Sequence, residues 1–216
     1  MSMAWMRMPG QTWLGAAASF LGMWIVMMVA MMLPSLMPML WRYRQSVDSS
    51  DQTTLGWLTV LVGVGYFVIW TLVGMIAYPI GLALAVIEMK WPTLAREVPI
   101  AAGVAILIAG ALQFTAWKAH HLACYRETIR HGEVLPADAS TAWRHGLHLG
   151  LHCSNCCAGL MVVLLVIGVM DLRAMTAMAV AITIERLAPS GQRVSQVIGA
   201  LLVGGGLFIL AQASRG

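Results

Sequence analysis

Between Arg7 and Arg42 the chain carries no charged residue. A bilayer's hydrocarbon core, about 30 Å thick, is crossed by about 20 mostly apolar residues. Inside lipid every backbone N–H and C=O must be satisfied within the segment, which makes such a run a helix. The apolar stretch Trp13–Leu40 is the first of six. The others are 57–87, 99–117, 146–170, 172–187 and 194–212. Asp171 and Arg173 mark a tight turn between the fourth and fifth runs; without it they would merge into a helix too long for ordinary tilt. The expectation is an all-α, polytopic membrane bundle of about six transmembrane helices, forming one integral membrane domain over 1–216.

Composition supports this reading. Of 216 residues, 60% are apolar and 10% charged, against about 25% charged in a soluble domain. Mean hydropathy is +0.80. The partner expected first is the lipid bilayer. The net charge of +4 does not point to nucleic acid, because no Lys/Arg-rich run is present. A basic excess of this kind belongs to loops facing anionic headgroups.

Tryptophan and charge refine the topology. Trp13, Trp41, Trp57, Trp91, Trp117 and Trp143 fall at run ends, where an indole lies among headgroups, whereas Trp24 and Trp70 fall inside runs and are expected to pack in the bundle. Ala16-Ala17-Ala18 stands at the start of the first apolar run instead of following it, so the opening is read as a retained helix, not a cleaved leader. Eight Lys/Arg residues in the odd-numbered loops against five on the other side favour cytoplasmic odd loops and external termini. The expected location is the cytoplasmic (inner) membrane, multi-pass. The segment 118–145, with Pro136, Asp138 and Ser140, reads as a surface loop with a short helix at its start.

The chemistry concentrates in His145-Gly-Leu-His148-Leu-Gly-Leu-His152-Cys153-Ser-Asn-Cys156-Cys157. At about 100° per residue, His148, His152 and Cys156 share one stripe, with Cys153 and Cys157 on the next. Thiolate and imidazole donors suit Cu(I) first and Zn(II) second. The competing reading is that of small apolar thiols in a helix bundle. A second group, Lys118-Ala-His120-His121-Leu-Ala-Cys124, pairs His121 with Cys124 at i,i+3 and His120 with Cys124 at i,i+4. Met23, Met27, Met28, Met31 and Met32 surround the first helix. Most suit packing, with Met31 and Met32 as candidate thioether ligands, and Pro34 and Pro38 are expected to kink or end that helix. Glu185, ionisable within an apolar run, is a candidate to accept protons released by ligand thiols. Counting six spans puts all these groups toward one membrane face. A shared site then requires the third, fourth and fifth runs to be neighbours there.

The chain resembles a bacterial family of uncharacterised, predicted metal-binding integral membrane proteins. The likeness rests on Trp24 to Ser35, Gln113 to Lys118 with Cys124, Gly146 to Cys157 with Leu160-Met161, and Met170 to Pro189. The paired Cys156-Cys157 is its most specific feature. The resemblance implies a Cys-x-x-Cys after Lys118. Here His121 holds the first of those positions, which keeps a ligand but removes a disulfide, and Asn155 stands where the family has glycine.

Together these features predict a membrane metal-binding protein for Cu(I), in delivery, tolerance or transport. The predicted metal ligands are His152, Cys153, Cys156, Cys157, His121, Cys124, His148, Glu185, Met31 and Met32. Two alternatives stay open: a membrane thiol-disulfide oxidoreductase using Cys153-x-x-Cys156, and a metalloenzyme subunit. Gly199, Gly204, Gly205 and Gly206 would permit close helix contacts, within the chain, with a protein partner or in a homo-oligomer.

Overall fold

The computed structural model describes residues 12–47, 51–90, 98–126, 135–168 and 171–214. Seven helices lie among the described residues: α1 (Trp13–Ser46), α2 (Gln52–Lys90), α3 (Val98–Leu112), α4 (Ala116–Arg126), α5 (Ala139–Ile167), α6 (Leu172–Leu187) and α7 (Gly191–Ala213). Helices α1, α2, α5 and α7 are each long and apolar enough to cross a membrane. Helices α3 and α4, bent by 64° at a short break, make a fifth span if the pair is counted as one. The outward surface is apolar, with Val26, Ile76, Leu201 and Phe208 all exposed. Such a surface would be a liability in water and is what lipid requires.

Among the described residues four spans, or five, stand where six were expected, for two physical reasons. The expected fifth span is α6, whose 16 residues rise only about 24 Å, short of the hydrocarbon thickness. The expected third span is interrupted at Gln113-Phe114-Thr115. There the amides of these three residues bond three residues back, to Gly110, Ala111 and Leu112, and the Thr115 hydroxyl accepts from the Lys118 amide at 3.3 Å. Buried Gln113 is anchored by the Ser195 hydroxyl, 3.1 Å from its carbonyl oxygen and 3.0 Å from Oε1.

Other boundaries also move. Helix α1 runs through Pro34 and Pro38 to Ser46 without ending. Helix α5 begins at Ala139 instead of Gly146, because Asp138 caps it by accepting from the Thr141 amide at 3.0 Å. The stretch 118–145 is thus largely helical where described, with 127–134 outside the described residues. Helix α5 ends at Gly168, whose φ of 134° favours glycine; 169–170 lie outside the described residues. At the turn expected around Asp171 and Arg173 the Asp171 carboxylate caps α6, accepting from the Arg173 and Ala174 amides at 2.8 and 3.1 Å. Of the end tryptophans, Trp13, Trp41, Trp57 and Trp117 are exposed, and Trp91 lies outside the described residues.

The main core joins α1, α2, α5 and α6. Trp24, Met28, Met32, Tyr66, Trp70, Leu149, Cys153, Leu160 and Ile182 are all buried there. Trp24 and Trp70 do pack inside, with the Trp24 indole donating to the Trp70 carbonyl at 2.9 Å. Met27, Met28, Met31 and Met32 do not surround α1. They occupy one buried face, and Met37 is exposed. Helix α7 packs on α3 through Gly199 and Gly206, whose added Cβ would come within 2.8 Å of Gln113, Phe114 or Leu107, whereas Gly204 and Gly205 face open space.

Candidate metal centre

Helix α5 presents Cys153, Cys156 and Cys157 to the interior, each at most 2% exposed, and none of the four cysteines is joined in a disulfide. The group facing them comes from α6. Arg186, 2% exposed, places Nη2 at 2.9 Å from Cys153 Sγ and 3.3 Å from Cys156 Sγ. The same nitrogen donates to the Cys153 carbonyl at 3.3 Å, while Nη1 donates to Ser35 Oγ on α1 at 3.0 Å. Tyr125 of α4 lies under the guanidinium, its ring centroid 4.3 Å from Cζ, and its hydroxyl donates to the Ser35 carbonyl at 3.1 Å. Tyr66 of α2 brings its hydroxyl to 2.8 Å from Cys153 Sγ. Five helices thus meet around two sulfurs and one cation.

A second charged group closes the floor. Lys118 of α4 pairs with Glu185 of α6, with Nζ 2.9 Å and 3.1 Å from the two carboxylate oxygens. It also donates to the Cys156 carbonyl. Both partners are buried, so each ion offsets the other's loss of hydration.

Beside the thiols lies a more open imidazole group. His121 Nδ1 of α4 is 3.3 Å from His152 Nδ1 of α5. His148 and His120 flank the pair, with ring centroids 5.9 Å from His152 and 5.6 Å from His121. Cys124 Sγ lies 3.5 Å from His120 Nε2. A cleft of about 360 Å³ lined by Cys124, Thr141, Arg144, His145, His148 and His152 opens here. His152, which lines this cleft, immediately precedes the buried Cys153 in the chain.

The family model described as copper chaperone (PpoB2) matches residues 21–209. The chain belongs to this copper chaperone family. The match takes in all four segments that carry the resemblance to predicted metal-binding membrane proteins. No curated protein and no solved structure matches the chain.

Within this copper chaperone fold, α4, α5 and α6 do meet at one level of the bundle. His121 reaches His152, one position from the cysteine pair, and Cys124 sits with His120. Glu185 points inward and is held by Lys118. Met31 and Met32 are buried in the core cluster that includes Cys153 and Cys157. Among the described residues no three His, Cys, Asp or Glu side chains converge as a preformed metal cluster. The thiols instead converge on a cation, Arg186, that the spacing of histidines and cysteines does not single out. The signal that singled out Glu185, an ionisable residue in an apolar run, applied equally to it. Lys118, Tyr66, Tyr125 and Ser35 were also missed as participants.

Proposed function

We propose that this copper chaperone family member is an integral membrane protein that holds Cu(I) on the Cys153 and Cys156 thiolates and passes it on, in delivery, tolerance or transport. The observation that carries the reading is the convergence of both sulfurs on one Arg186 nitrogen. It supports the reading because both sulfurs face a common point where a cation is already accommodated. Thiolates favour Cu(I), and binding requires that they lose their protons. His152, which lines the open cleft, and His121, 3.3 Å from it, would take the ion first. Cys157 is held in reserve, its Sγ directed at the Cys153 carbonyl at 3.0 Å. Zinc remains the competing ion for the same donors.

The test is metal analysis of full-length protein purified under reducing conditions and loaded with Cu(I). Replacing Cys153 and Cys156 together by serine removes most of the bound copper. Unchanged stoichiometry in that variant would sink the reading.

A further inference from the structure

The buried ionisable groups of the site do not balance. Lys118 and Glu185 neutralise each other at 2.9 Å, whereas among the described residues no carboxylate is paired with Arg186. Its neighbours are a hydroxyl, a carbonyl, an aromatic face and two sulfurs, and its Nε is buried without a hydrogen-bond partner. An arginine stays protonated even when buried. A buried, unpaired cation is strongly disfavoured. The pocket therefore carries one fixed positive charge that its contents must offset.

We propose that Arg186 sets the valence of the ion the site accepts, acting as a specificity-determining residue for monovalent Cu(I). The inference rests on the Cu(I) reading above and adds the reason for the choice of ion. Cu(I) on two thiolates is a monoanion, so with the guanidinium the site is neutral. By the same count the empty pocket holds one thiolate beside Arg186 and one thiol, so loading releases one proton to water, forms two Cu–S bonds and changes no oxidation state. Zn(II) on the same two thiolates is neutral, which leaves Arg186 uncompensated. A divalent ion regains balance only with a third thiolate, and Cys157 Sγ is turned to the carbonyls of Cys153 at 3.0 Å and Ser154 at 3.8 Å. Tyr125 and Ser35 hold the guanidinium in place, so the charge is positioned and not merely present.

Full-length protein in detergent, kept anaerobic and reduced, is titrated in competition with bicinchoninate for Cu(I) and with a fluorescent chelator for Zn(II). Wild type, Arg186→Lys and Arg186→Gln are compared. The ratio of Cu(I) to Zn(II) affinity falls by about tenfold or more in Arg186→Gln, since one buried charge is worth at least that factor. The charge-conserving Arg186→Lys keeps most of the preference. An unchanged ratio in Arg186→Gln overturns the role of Arg186. Because loss of a buried guanidinium can unfold the chain, X-ray absorption of the Cu(I)-loaded wild type gives an independent reading. Two sulfur neighbours support the charge count, and three overturn it. Wild type that takes up no Cu(I), or takes it up equally after both serine replacements, overturns the underlying Cu(I) reading. Cysteine-dependent uptake with an unaltered ratio overturns only the valence role.

Discussion

Lys118 and Glu185, far apart in sequence, form a buried ion pair 2.9 Å apart that ties α4 to α6 directly beneath the thiol-bearing turn of α5. Removing one member leaves the other charged and unpaired. Glu185→Gln and Lys118→Met should each destabilise the protein by about 3–5 kcal/mol, whereas the double replacement Lys118→Met/Glu185→Leu should recover much of that loss. Unfolding in mixed micelles at increasing denaturing detergent reads the difference. Additive losses in the double variant would show that the two charges are not coupled.

Gly146 tests the packing that positions the thiol-bearing turn. A Cβ there would fall 2.3 Å from the Val62 carbonyl oxygen, a backbone atom that cannot swing aside. Gly146→Ala should push α5 from α2 and cost about 1–3 kcal/mol. Gly204→Ala and Gly205→Ala meet no neighbour and should be close to neutral or slightly stabilising through helix propensity. Comparable losses at all three positions would refute the α2–α5 contact.

Long uncharged runs made the membrane helices α1, α2, α5 and α7 legible, because hydropathy alone separates lipid from water. Inward packing of Trp24 and Trp70 was legible for a similar reason, since both sit far from the run ends. The break between α3 and α4 was not, because it depends on Gln113 meeting Ser195, 82 positions away. The length of α6 also misled: its apolar composition suggested a span, yet it lies against α1 and α7 without the rise to cross. At the site, the histidine and cysteine spacing singled out side chains that the fold does bring close, His121 to His152 and Cys153 to Cys156 about one Arg186 nitrogen. Arg186 escaped notice because its meaning lies in partners on other helices, Ser35 being 151 positions away.

The Asp138 cap supplies a pH-dependent element outside the membrane. Hydrogen bonds from Ser140 and Thr141 hold its carboxyl at about 2, below its ordinary 3.8. A depressed pKa means the cap's contribution is complete above the unfolded value and is lost as pH falls through the folded one. The Thr141 amide resonance should therefore titrate with a midpoint near 2, and Asp138→Asn should abolish that titration while keeping a capping oxygen. A midpoint at the ordinary carboxylate value would show that the cap is not formed.

Metal holding and redox cycling make opposite predictions for the thiols. Cysteines that carry Cu(I) stay reduced, and bound metal shields them. All four cysteines should react with a maleimide after rapid quenching of cells, and added Cu(I) should slow alkylation of Cys153 and Cys156 in purified protein. The thiol-disulfide reading instead requires a Cys153–Cys156 disulfide that exchanges with a quinone. Trapping that disulfide in most of the cellular protein would favour the oxidoreductase.

The imidazole group should govern how the ion arrives. His121 and His152 face each other at 3.3 Å, with His152 lining the cleft, so one ring donates and the other accepts, and a cation replacing that proton would join them. Such a pair is too few donors for a stable divalent site and suits a transient one for Cu(I). His152→Ala, alone or with His121→Ala, should slow Cu(I) uptake from a weak chelator and lower affinity by about tenfold, as for residues that support metal ligands. The final stoichiometry, set by Cys153 and Cys156, should not change. Arg144→Ala, at the rim of the same cleft, removes a repelling charge from the approach and should speed uptake, an effect that fades at high salt. Stopped-flow uptake measured at low and high ionic strength separates these contributions. Equal rates in wild type and the double histidine variant would mean that the ion reaches the thiols by another route.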